Sequence, residues 1–130
     1  MTAPHDSAHD LAALQGAWEQ VDFEENGIRN PPDEHGAPGA LTLIHGNHFE
    51  VRTIEGGLLL EGNFMLDANV VPKAITWVDS IGADAGKHLP ASYRLEGDRF
   101  IFIAADEGMP RPTVFRTVPG QTMRSFVRRR

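Results

Sequence analysis

The feature of this sequence that most constrains its fold is a series of short runs in which apolar and polar residues alternate. AWEQVDFE (17–24), ALTLIH (40–45), HFEVRTI (48–54) and LLLEGNFML (58–66) come first. AITWVDS (74–80), HLPASYRL (88–95), RFIFIAA (99–105), TVFRTV (113–118) and TMRSFVRR (122–129) follow. A period of two sends successive side chains to opposite faces, the pattern of half-buried β-strands. Turn residues separate the runs at Gly46-Asn47, Glu55-Gly56-Gly57, Asp67-Ala68-Asn69 and Glu96-Gly97-Asp98. Two connections are longer, GIRNPPDEHGAPG (27–39) and IGADAGK (81–87), and such loops suit the open end of a barrel. The helical stretch is DSAHDLAAL (6–14), with Asp6 or Ser7 as N-cap and Gly16 as its stop. The expected class is therefore all-β: an eight-stranded antiparallel up-and-down barrel with a short N-terminal helix. Closure leaves no strand edge exposed.

A chain of 130 residues is the size of one domain, 1–130, with 1–13 as an N-terminal extension and short helix. The absence of cysteine excludes disulfides, thiolate metal sites and a thiol nucleophile. The first fourteen residues lack a basic segment followed by an apolar one, so no signal peptide is expected. No apolar run approaches the ~18 residues of a membrane span, so a cytoplasmic location without membrane contact is expected. The net charge of −6 is uneven: residues 111–130 hold six arginines and no acid, leaving −12 on the remainder. An acidic body disfavours nucleic acid. The basic end is expected to pair with acidic neighbours, with an anion site as the alternative.

Gly16-x-Trp18, at the head of the first strand, resembles the glycine-x-tryptophan signature of the lipocalin-like (calycin) barrels. The resemblance implies that Trp18 is a structural plug in the closed end, with a last-strand cation packed across its ring. Arg124 or Arg128 would supply that cation, and the stacking would contribute ~0.5–2 kcal/mol. A wider resemblance, from Leu14 to Arg128, is to small bacterial lipocalin-like domains first noted in planctomycetes. It is carried by LQGAW (14–18), EGNFMLD (61–67), PKAI (72–75), YRLEGD (93–98) and RPTVF (111–115). That group has no agreed activity, so the resemblance implies a fold and no catalytic residues. If the barrel closes, strand 122–129 must pair with strand 17–24.

Alternation also selects an interior. Phe49, Val51 and Thr53 share one face of their run, as do Gly62, Phe64 and Leu66, with Glu61, Asn63 and Met65 outward. Ile75, Trp77 and Asp79 form a third inward set, Tyr93 and Leu95 a fourth, and Phe100, Phe102 and Ala104 a fifth. Such an interior is aromatic-rich with few polar groups, and it either encloses a cavity or is filled solid. The candidate ligand-binding residues are Phe49, Phe64, Trp77, Tyr93, Phe102 and Arg124. Trp77 and Tyr93 need hydrogen-bond partners when buried, and Asp79 could link them. The candidate catalytic groups are Tyr93, Asp79 and His88: an inward carboxylate suits a general base, and a histidine near the open end suits a proton carrier.

His45 and His48 flank Gly46-Asn47. A two-residue turn sets the imidazoles opposite each other, whereas a three-residue loop separates them, and alternation supports either register. No third ligand follows from the sequence, with Glu50 taken on the other parity, so no metal site is expected. His5 and His9 have helical spacing near the N-terminus and are expected to be solvated. No cofactor motif is present: Gly56-Gly57 lies in a hairpin, and Ser7, Ser80, Ser92 and Ser125 lack a nucleophile-elbow setting. Nothing in the sequence specifies an oligomeric state.

The leading functional reading is a barrel that binds a small, mostly apolar molecule. The second is a cofactor-independent cyclase or isomerase acting on a small hydrophobic substrate. The third, a protein-interaction module, has Ile101, Ile103 and Leu59 as its visible material.

Overall fold

The chain adopts a closed eight-stranded antiparallel barrel capped at one end by a short helix, as seen in a computed structural model that describes residues 7–29, 40–83 and 85–129. Helix α1 spans Ser7–Leu14. The strands are β1 (Gly16–Glu25), β2 (Ile28–Arg29), β3 (Leu41–His45), β4 (His48–Arg52) and β5 (Leu58–Asp67). They continue as β6 (Lys73–Asp79), β7 (His88–Glu96), β8 (Arg99–Ala105) and β9 (Gln121–Arg129). Each strand from β3 to β8 pairs with the next, β1 pairs with β3, and β9 returns to β1. The two-residue β2 only folds back on the end of β1. No helix among the described residues is long and apolar enough to cross a membrane.

The closing seam matches the expected pairing of the last strand with the first. Trp18 lies opposite Arg128, Glu19 opposite Val127 and Phe23 opposite Arg124. A bulge at Val21 separates Gln20, paired with Phe126, from Asp22, paired with Ser125. The extra residue re-phases the strand, so that Trp18 and Gln20 before it and Phe23 after it stay aligned with the inward set of β9. The 40–54 hairpin takes the two-residue turn, with His45 opposite His48 and Ile44 opposite Phe49. Gly46 turns at φ +62°, and the Gln15 side chain fixes it by accepting from the Gly46 N–H at 2.7 Å and donating to its carbonyl at 2.9 Å.

Three expectations need correction or fall outside what is described. TVFRTV (113–118) is not a strand. Pro110, Pro112 and Pro119 surround it, and prolines cannot donate to a ladder. The 106–120 segment instead straps the outer face of β7 and the end of β1. Ser92 donates to the Pro112 carbonyl, Arg111 bonds the Pro72 carbonyl and the Ser92 hydroxyl, and Arg94 lies 4.1 Å over the Phe115 ring. Ile103 is fully buried, so it is not part of an exposed interaction patch. Most of the long 27–39 loop, Asp6 and His5 lie outside the described residues.

Candidate functional site

The two ends of the barrel have different chemistry. At the closed end Gly16, at φ +116°, turns the chain between α1 and β1 so that the helix lies across the base. Trp18 is fully buried, and its Nε1–H donates to the Leu14 carbonyl at 2.8 Å. Arg128 lies 4.3 Å over the Trp18 ring and donates to the Ala13 and Gln15 carbonyls, groups that the end of a helix leaves without partners. The cation that covers Trp18 is therefore Arg128. Arg124 lies four residues earlier on β9, 4.5 Å over the Phe23 ring.

Tyr93 belongs to this closed end. It is 1% exposed, and its hydroxyl donates to Asp10 Oδ2 at 2.7 Å, while Lys73 Nζ donates to the same oxygen at 2.9 Å. Burial, and then the bond to Asp10, push the phenol well above its ordinary pKa, so it stays protonated. The expected link between Tyr93 and Trp77 through Asp79 is replaced by this one. Asp10 shares a face of α1 with Leu14, at i and i+4. That spacing was the available sign that an aspartate would enter the base.

Above the base the barrel encloses a cavity of about 590 Å³. Among the candidate binding residues, Phe49, Trp77, Phe102 and Arg124 line it. Phe64 and Tyr93 are not in the lining; Phe64 packs against Trp77 with ring centroids 5.4 Å apart. The aromatic wall continues through Phe102 and Phe126, whose rings stack at 5.9 Å. Leu59, Ile81 and Ala83 stand at the end opposite α1. Thr53 is not in the lining; its hydroxyl accepts from the Gly57 N–H in the β4–β5 turn.

The polar lining is sparse. β6 and β1 are four strands apart in a ring of eight, so Trp77 and Gln20 stand on opposite walls. Arg124 donates to Gln20 Oε1 at 2.9 Å. Asp79, 8% exposed, lies two residues from Trp77 on the same face of β6, with Glu25 and Asp106 also in the lining. Among the described residues, Trp77 Nε1 is the buried side-chain polar atom without a hydrogen-bond partner. Leaving such a donor unpaired costs ~1–3 kcal/mol. Gln20 and Thr42 also line the cavity and were missed from sequence. Gln20 has the parity of Trp18, but the apolar Val21 and Phe23 on the other parity mask it, and a lone threonine carries no signal. His88 is exposed and precedes the inward Leu89, so it faces solvent and not the cavity.

On the outer face, His48 Nε2 lies 3.2 Å from Glu61 Oε2 and 3.8 Å from Glu50 Oε2. These three residues could hold a metal ion. Glu50 shares the His48 face, which corrects the expected opposite parity, and Glu61 comes from β5. Arg52 Nε also donates to Glu50 Oε1 at 2.6 Å, so the group forms a charge network half open to solvent. No family model, curated protein or solved structure matches the chain.

Proposed function

We propose that this chain is a lipocalin-like barrel whose interior binds a small, mostly apolar molecule. The observation that carries the reading is the cavity of about 590 Å³, walled by Phe49, Trp77, Phe102 and Phe126 and interrupted by a few polar groups. Small-molecule sites have volumes of about 300–1,000 Å³ and combine an apolar wall with a few placed polar atoms. A barrel of eight strands is wide enough for one such ligand. The wider reading is of a single cytoplasmic domain acting without nucleic acid or membrane. Native mass spectrometry of the protein purified from its own host tests it. A bound mass lost on substitution of Ala104 by Trp, which fills the lining, supports binding, and protein that carries nothing under any growth condition contradicts it.

A second reading, a cofactor-independent isomerase or cyclase, draws on the position of Asp79 beside Trp77 in the same lining. A carboxylate next to a hydrogen-bond donor in an apolar space is the pairing that proton transfer next to a carbonyl requires. Asp79→Asn then abolishes turnover of the co-purifying molecule and leaves its binding within a few-fold. Unchanged turnover would remove the reading.

A further inference from the structure

We propose that the ligand of this cavity is an uncharged, ring-bearing molecule with a carbonyl oxygen, and that the Trp77 indole N–H is the donor that holds it. The inference rests on the binding reading above and adds the chemistry by which the molecule is recognised.

A buried indole normally finds an acceptor within the protein. Trp18 does, at the Leu14 carbonyl, and Trp77 does not. Trp77 is 5% exposed and lines the cavity. Its ring is also held on several sides: Phe49 meets it edge-on at 5.1 Å and 83°, Phe64 lies at 5.4 Å and Phe102 at 4.8 Å. A donor fixed this way needs no ordering when a ligand binds, so its bond contributes more of its strength to affinity. The indole N–H donates and never accepts, so the matching ligand atom is an acceptor. The surrounding rings favour a flat apolar body attached to it.

Charge excludes the anionic alternative. Among the described residues, Glu25, Asp79 and Asp106 line the cavity with one cation, Arg124, which already bonds Gln20 and lies over Phe23. A carboxylate ligand would lose its hydration and meet three acids, whereas a ketone or ester brings an acceptor and no charge.

Isothermal titration with three naphthalenes of similar shape tests the proposal: 2-acetylnaphthalene, 2-isopropylnaphthalene and 2-naphthoate. The ketone is expected to bind about tenfold tighter than the hydrocarbon, the net effect of one hydrogen bond, and tighter still than the acid. In Trp77→Phe the advantage of the ketone over the hydrocarbon should disappear, so that the two bind alike. The carbonyl stretch of the bound ketone, read by infrared difference spectroscopy on the unaltered protein, should shift to lower frequency relative to its position in an alkane. That readout needs no variant to fold. Equal binding of ketone and hydrocarbon, preference for naphthoate, or an unshifted stretch overturns the proposal and leaves the binding reading standing. Failure of all three compounds to bind overturns both.

Discussion

Arg128 stacks 4.3 Å over Trp18 and, with the same guanidinium, donates to two carbonyls at the end of α1. One side chain thus joins the last strand, the first strand and the helix that caps the base. Trp18→Ala should cost ~3–5 kcal/mol by emptying a fully buried site. Arg128→Lys keeps the charge but loses the planar fork, and should cost ~1–3 kcal/mol. Urea denaturation followed by circular dichroism measures both.

Tyr93 should affect stability and not ligand binding. Its hydroxyl bonds the buried Asp10 carboxylate, which then keeps only Lys73. Tyr93→Phe should cost ~1.5–3 kcal/mol, the range for hydrogen bonds to charged groups. Affinity for 2-acetylnaphthalene should stay within twofold. A large affinity change with unaltered stability would place Tyr93 in the cavity after all.

The barrel itself was legible because most of its runs keep a period of two and most turns are short. The closing seam followed from the same logic, since an unpaired β9 leaves two open edges. What the sequence concealed lay where local pattern and tertiary role part company. TVFRTV alternates like a strand, yet the prolines around it make it a strap, and Phe23 joins the Trp18 face through a bulge that alternation does not show. The cavity lining was half legible: parity placed Phe49, Trp77 and Phe102, but depth along the barrel, which separates Tyr93 and Phe64 from the cavity, depends on the register between strands.

At Gly62, β5 runs close against its neighbours. A methyl group there would meet the Val78 carbonyl oxygen, the Asp79 Cα at 2.9 Å and the Phe49 ring at 3.0 Å. Gly62→Ala should cost ~1–3 kcal/mol through overpacking. Because Asp79 and Phe49 both line the cavity, it should also weaken ligand binding, which parallel denaturation and titration would reveal.

Acid should loosen the strap before it unfolds the barrel. The Thr117 N–H and hydroxyl both donate to Glu24 Oε2, at 2.6 and 2.7 Å. The backbone bond first and the hydroxyl bond second hold the Glu24 carboxyl below its ordinary range, against the opposing effect of burial. Its contribution is therefore complete above the unfolded value of about 4.3, and fades as pH falls through the lower folded value. The protection of the Thr117 amide against exchange, relative to a free chain at the same pH, should fall across that acid range. Glu24→Gln should make the strap less protected at neutral pH and remove its acid dependence.

The claim that the barrel holds a small apolar molecule against Trp77 is tested most directly by the two indole N–H resonances of the ¹⁵N-labelled protein. One belongs to Trp18, bonded to Leu14 at the closed end, and the other to Trp77 in the cavity wall. On titration with 2-acetylnaphthalene the Trp77 resonance should move in a saturable manner and further than that of Trp18, whose ring also borders the cavity but whose N–H is already bonded to Leu14. If neither moves, the cavity is not the binding site; if Trp18 alone responds, the molecule sits on the floor of the cavity and not against the Trp77 N–H.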